Sequence, residues 1–163
     1  MKNPLAHILL ALAAILPLAA AAQVPVQPAA DQEALLASAD PVLRANKRLV
    51  YDFWREVFEA GQVAQADKYV AESYIQHNPN VPTGRAAMVG FVSRRTPAPL
   101  PVEARIKAPL VSIVAERDLV ILSFVREYPD PKDASQKYTT TWFDMFRIEN
   151  GKIVEHWDSA LRQ

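Results

Sequence analysis

Three histidines and a handful of carboxylates carry most of the acid–base capacity of this 163-residue chain. His7 stands near the N-terminus, His77 in a corner rich in proline and asparagine, and His156 two residues before Asp158. An imidazole that titrates near neutrality is the commonest proton-transfer group. Both later histidines also have a plain structural use: His77 can bond the backbone of its turn, and His156 can line the outer face of a strand. Asp144 has the less ordinary setting, flanked by Trp142, Phe143, Met145 and Phe146. On a strand it shares a face with Tyr138, Thr140, Trp142 and Phe146. Two settings are open to it, a solvated face or an apolar pocket, where loss of water would tune a carboxyl for proton transfer. Asp158 shares a face with His156, but i,i+2 neighbours on a strand lie ~6.5 Å apart at Cα and need a bend or a ligand to meet. Tyr51, Phe53, Trp54, Phe58 and Phe91 read as core or pocket wall. Arg85, beside Gly84, reads as an anion holder or a solvated arginine.

Several chemistries are set aside by what the chain lacks. It has four glycines and no glycine-rich phosphate loop, no G-x-S-x-G elbow and no H-E-x-x-H. With no cysteine, thiol chemistry, thiolate metal sites and disulfides are excluded. The remaining histidines and carboxylates form no short-spaced cluster, so no metal is expected. Eighteen basic residues against eighteen acidic ones give no reason to expect nucleic acid or an anionic surface as partner.

The elements that must position these groups follow from periodicity. Residues 1–22 combine a positive start, an apolar run over 5–18 and Ala20-Ala21-Ala22, which predicts a secretory signal peptide and export to a periplasm. Pro17 interrupts the run, which is short for a bilayer span, so no stable membrane insertion is expected after cleavage. Residues 23–39 read as a leader with room for one short helix, and residues 40–163 as one domain. Asp40-Pro41 starts a helix carrying Val50, Phe53, Trp54, Val57 and Phe58 on its apolar stripe, and Gly61 is placed to stop it. A second helix is predicted over 63–73, and a third behind Thr83, with Met88, Phe91 and Val92 facing inward. Residues 74–84, YIQHNPNVPTG, read as loop. Alternation then predicts strands over 102–108, continuing over 110–115 past a bend at Pro109, and over 119–128, 137–148 and 153–158. Asn150-Gly151 joins the last two as a type I′ hairpin. Helices followed by long antiparallel strands form an α+β arrangement, with a pocket expected between helices and a strongly curled sheet.

Two stretches carry a resemblance. YIQHNPNVPTG at residues 74–84 and FDMFRIENGKIVEHWD at residues 143–158 are similar to the SnoaL-like branch of the nuclear transport factor 2-like superfamily, over about residues 41–158. The resemblance implies a cone-shaped fold, with N-terminal helices packed in a strongly curved antiparallel sheet. It also implies a cofactor-independent acid/base enzyme of the aldol, cyclase or isomerase type, acting on a hydrophobic carbonyl compound. Asp144 takes the role of proton shuttle in that reading, with His77 and His156 as polar partners. Trp142, Tyr74, Trp54, Phe91 and Asp158 are the expected substrate-binding residues, with no cofactor and no metal. A homodimer through the sheet is expected. The alternative is a non-catalytic exported protein that binds a small hydrophobic ligand.

Overall fold

The computed structural model describes residues 23–163; the predicted signal peptide lies outside them. The first helix, α1 (Pro41–Phe53), begins as its sequence dictates: Asp40 Oδ1 accepts from the amides of Val42 (2.7 Å) and Leu43 (3.3 Å). These are two of the donors that a helix start leaves without intrahelical partners. The helix widens into a π turn over Trp54–Glu59, where the Ala60 amide bonds the carbonyl of Arg55. The widened turn sets Trp54 and Phe58 side by side, with ring centroids 4.3 Å apart. Gly61 ends it at φ +67°, and a Cβ there would sit 2.7 Å from the Thr96 side chain, so this position needs glycine on two counts.

The second predicted helix is mostly something else. After a 3₁₀ turn (Val63–Gln65), α2 is a single turn (Ala66–Tyr69), and the chain enters β1 (Val70–Gln76). The free edge of the last strand captures these residues, which outweighs their helical pattern. The third helix, α3 (Arg85–Arg95), starts at Gly84 with no side-chain cap, because the Thr83 hydroxyl accepts from the Gln76 amide instead. Four further strands follow: β2 (Leu110–Glu116), β3 (Leu119–Asp130), β4 (Asp133–Glu149) and β5 (Lys152–Asp158). Asn150 and Gly151 both take positive φ, as the type I′ hairpin between β4 and β5 requires. The bend at Pro109 coincides with a register shift between Leu110 and Ser112.

Residues 102–108 form no strand, despite their alternation. Their backbone is bonded to side chains instead. Glu59 accepts from the amides of Lys107 and Ala108, Gln32 bonds both backbone groups of Ile106, and Arg55 donates to the Glu103 carbonyl. The expected strongly curved, wholly antiparallel sheet is therefore not what forms. The five strands make one open, mixed sheet in the order β1-β5-β4-β3-β2, with β1 parallel to β5. The two end strands do not pair with each other, and the segment that would have extended the β2 side is held by helix side chains.

The core lies between α1, α3 and one sheet face. Trp54 stacks on Phe124 at 4.7 Å, and Phe53 meets Phe146 edge-on at 6.0 Å. Tyr51, Val57, Val92, Leu110, Leu122 and Ile153 are fully buried beside them. Burying such side chains stabilises by roughly 1.5–3 kcal/mol each. The leader residues join this body: the Ala29 amide bonds the Leu110 carbonyl, and buried Gln32 accepts from the Tyr51 hydroxyl. Among the described residues no helix is long and apolar enough to cross a membrane.

Candidate functional site

Strand alternation on β4 turns Trp142, Asp144 and Phe146 toward the helices, and the antiparallel register sets Asp144 against Asp158 and Phe146 against His156. His156 is thereby diagonal to Asp144, and its Nε2 lies 3.0 Å from Asp144 Oδ1. Their side chains are only 9% and 7% exposed, so the pair sits in a medium far less polar than water. They line a cavity of about 210 Å³ together with Trp54, Phe58, Tyr74, Phe91, Trp142 and Asp158.

The hydrogen-bond network fixes the histidine. Gln76 Oε1 accepts from the Asn78 backbone amide at 2.9 Å, which determines the orientation of its carboxamide. The same oxygen lies 2.8 Å from His156 Nδ1, so Nδ1 must be the protonated donor. Nε2 then faces Asp144 Oδ1. The other carboxyl oxygen, Asp144 Oδ2, is buried without any partner. A buried acceptor left unpaired costs on the order of 1–3 kcal/mol; Trp54 Nε1 and Arg55 Nε are likewise buried without a partner.

Tyr74 completes the buried end. Its phenol oxygen accepts from Gln76 Nε2 at 3.0 Å, leaving its own O–H free to donate. Burial first, and then the negative charges of Asp158 and Asp144, hold the phenol well above its ordinary pKa, so it remains a donor at neutral pH. Asp158 is held by Asn78 Nδ2 (2.7 Å) and the Ala160 amide (2.9 Å).

Trp142, Tyr74, Trp54, Phe91, Asp158, Asp144 and His156 are thus brought together; His77 is not. It lies on the outer side, 2.8 Å from Glu155 Oε1, with its ring stacked on Trp157 at 5.1 Å. Gln76 and Asn78 take the inward positions beside it. The signal for this was available: residues 74, 76 and 78 alternate from Tyr74, which puts His77 on the opposite face. Side chains that form no short-spaced cluster in sequence do come together in the fold. One donor atom each from Asp144, His156 and Asp158 lies within 4.8 Å of the other two, compact enough for a divalent cation, although the fold already engages all of these side chains in hydrogen bonds.

Residues 50–156 match the SnoaL-like domain, and the chain belongs to that family. Among solved structures it is similar to a candidate polyketide cyclase from Acidithiobacillus ferrooxidans, at 17% identity and TM-score 0.51, covering 75% of this chain and 89% of the other. It is also similar to a candidate SnoaL-like polyketide cyclase from a Jannaschia species, at 14% identity and TM-score 0.51, covering 76% of this chain and 91% of the other. At these identities the likeness speaks for the fold. No curated protein matches the sequence.

Proposed function

We propose that this chain is a cofactor-independent acid/base enzyme acting on a hydrophobic small molecule that bears a carbonyl, in a reaction of the aldol cyclisation or isomerisation type. The observation that carries this reading is the buried Asp144–His156 pair at the polar end of an aromatic cavity. Asp144 takes the proton from the carbon next to the carbonyl, and the electron pair of the C–H bond moves into the enolate. The Tyr74 O–H donates to the enolate oxygen, a donor already oriented before charge develops. In a cyclisation the enolate carbon bonds to a second carbonyl carbon of the same molecule, and Asp144 returns its proton to the new alkoxide. His156 steadies the carboxyl group through both steps. It remains held by Gln76.

Small family cyclisation substrates offer the test. Asp144→Asn is expected to cut kcat by about 10²–10⁴-fold with the fold intact by circular dichroism. Unchanged turnover in that variant would remove Asp144 from the chemistry.

The second reading, an exported protein that only binds an apolar ligand, is favoured by the sealed position of Asp144 Oδ2. It predicts ligand-dependent tryptophan fluorescence with no product under any condition. Export itself is checked by sequencing the N-terminus of the secreted protein, expected at Gln23. A homodimer through the outer sheet face, where Phe143 is half exposed beside Ile121, Met145 and Trp157, is checked by sedimentation at micromolar concentration.

A further inference from the structure

Two charges lining the cavity have no part in the chemistry above. Arg95 closes α3, and Arg126 lies on β3 on the same face as Leu122 and Phe124. Both are exposed, whereas Asp144 and His156 at the other end of the same cavity are buried. Elsewhere Arg48 pairs with Glu33, Arg55 with Asp52, and Arg147 with Asp118 and Glu155. Among the described residues neither Arg95 nor Arg126 has a carboxylate within 4.0 Å.

Aromatic faces position them instead. The Arg126 guanidinium lies 5.3 Å from the centre of Trp142, and that of Arg95 lies 4.5 Å from Phe58 and 5.6 Å from Phe91. All three rings are cavity wall. A guanidinium laid on a ring is held in place while its edge N–H donors stay free for a planar acceptor. The cavity is therefore polarised, with Asp144 and Asp158 at the buried end and two unpaired guanidiniums at the rim. An anionic group is repelled from the first and drawn to the second, which sets which end of a ligand enters first.

We propose that the ligand is an amphipathic acid. Its carboxylate rests between Arg95 and Arg126, its apolar body lies among Trp54, Phe91 and Trp142, and its carbonyl points at Asp144 and Tyr74. This deepens the proposed function and rests on the same cavity.

Calorimetric titration of the full chain with acetylnaphthoate, a flat keto acid, and with its uncharged methyl ester tests the assignment. The acid is expected to bind about tenfold more tightly than the ester, the scale of one charge-assisted hydrogen bond. Arg126→Gln and Arg95→Gln should each erase most of that preference while leaving ester binding within about twofold; both positions are exposed, so the variants should fold. Asp144→Asn should keep the preference, because it arises at the rim. Equal binding of acid and ester by the natural chain would overturn the anion subsite and leave the cavity reading standing, as would a preference that survives in the double arginine variant. If neither compound binds, both readings fall together.

Discussion

Among the described residues, two imidazole–carboxylate pairs lie on opposite faces of the same sheet region. His156–Asp144 spans 3.0 Å and His77–Glu155 spans 2.8 Å, so distance does not distinguish them. Surroundings do. The first pair is 9% and 7% exposed and leaves one carboxyl oxygen with no partner; the second is 43% and 20% exposed, and Arg147 occupies its other carboxyl oxygen at 2.9 Å. Glu155 has its bonding capacity spent and water close by, so it can do little but hold the surface together. Asp144 lines the cavity and keeps one buried oxygen without a partner. Under the proposed function, what would make a carboxylate chemically useful here is the company it is denied.

The contrast can be broken by substitution, and the largest effect is expected at Asp144. Asp144→Asn should lower kcat by about 10²–10⁴-fold, while Glu155→Gln leaves it within about twofold. Equal losses in steady-state assays would end the distinction. Tyr74→Phe comes next: removal of an oriented donor to the enolate should cost about 10²-fold in kcat with little change in KM. A loss confined to KM would reduce Tyr74 to a wall residue. His77→Gln should leave turnover within about twofold, and its cost should fall within the roughly 0–1 kcal/mol of an exposed ion pair, read by chemical denaturation.

The smallest effect is a pH dependence. The hydrogen bond to His77, followed by that to Arg147, holds the Glu155 carboxyl below its ordinary range. A carboxyl with a lowered folded-state pKa contributes stability above the unfolded value and loses it as pH falls through the folded one. Glu155→Gln should therefore narrow the gap between neutral and acid Tm, measured from pH 7 down to pH 3, by a degree or two at most. A variant with an unchanged acid limb would show that the pair stores nothing.

The two faces also explain how far the sequence could be read. Local rules sufficed where partners are close in the chain: the Asp40 cap, the Gly61 stop and the Asn150-Gly151 hairpin all appear where their residues place them. They failed where a distant group competes. Residues 102–108 alternate like a strand, yet Glu59, Gln32 and Arg55 claim their backbone. Residues 70–73 carry a helical pattern and 74–76 read as loop, yet the edge of β5 draws all of them into the sheet. At the site, aromatic neighbours single out Asp144, but local sequence leaves open whether it and His156 face water or a pocket; the fold places both on the cavity. The placement of His77 depends on residues 70–76 forming a strand, where local pattern reads helix up to residue 73 and loop from residue 74. Arg95 and Arg126 lie 31 positions apart and carry no shared motif, so only folding shows that they border one space.

Gln76 limits the route by which hydrogen can travel. Because its amide oxygen is already committed to Asn78 and to His156 Nδ1, the imidazole cannot pass a hydrogen out through its far nitrogen without breaking the turn behind it. The site therefore has no back door. Under the proposed function, a hydrogen lifted from a substrate either returns to that same molecule or leaves by the way the substrate came in. In a cyclisation the hydrogen ends on a hydroxyl and exchanges with solvent. For an isomerisation, in which the hydrogen returns to carbon, turnover in heavy water should then give product that retains much of its original light hydrogen, and Gln76→Ala, by opening the rear of the ring, should let the label wash in.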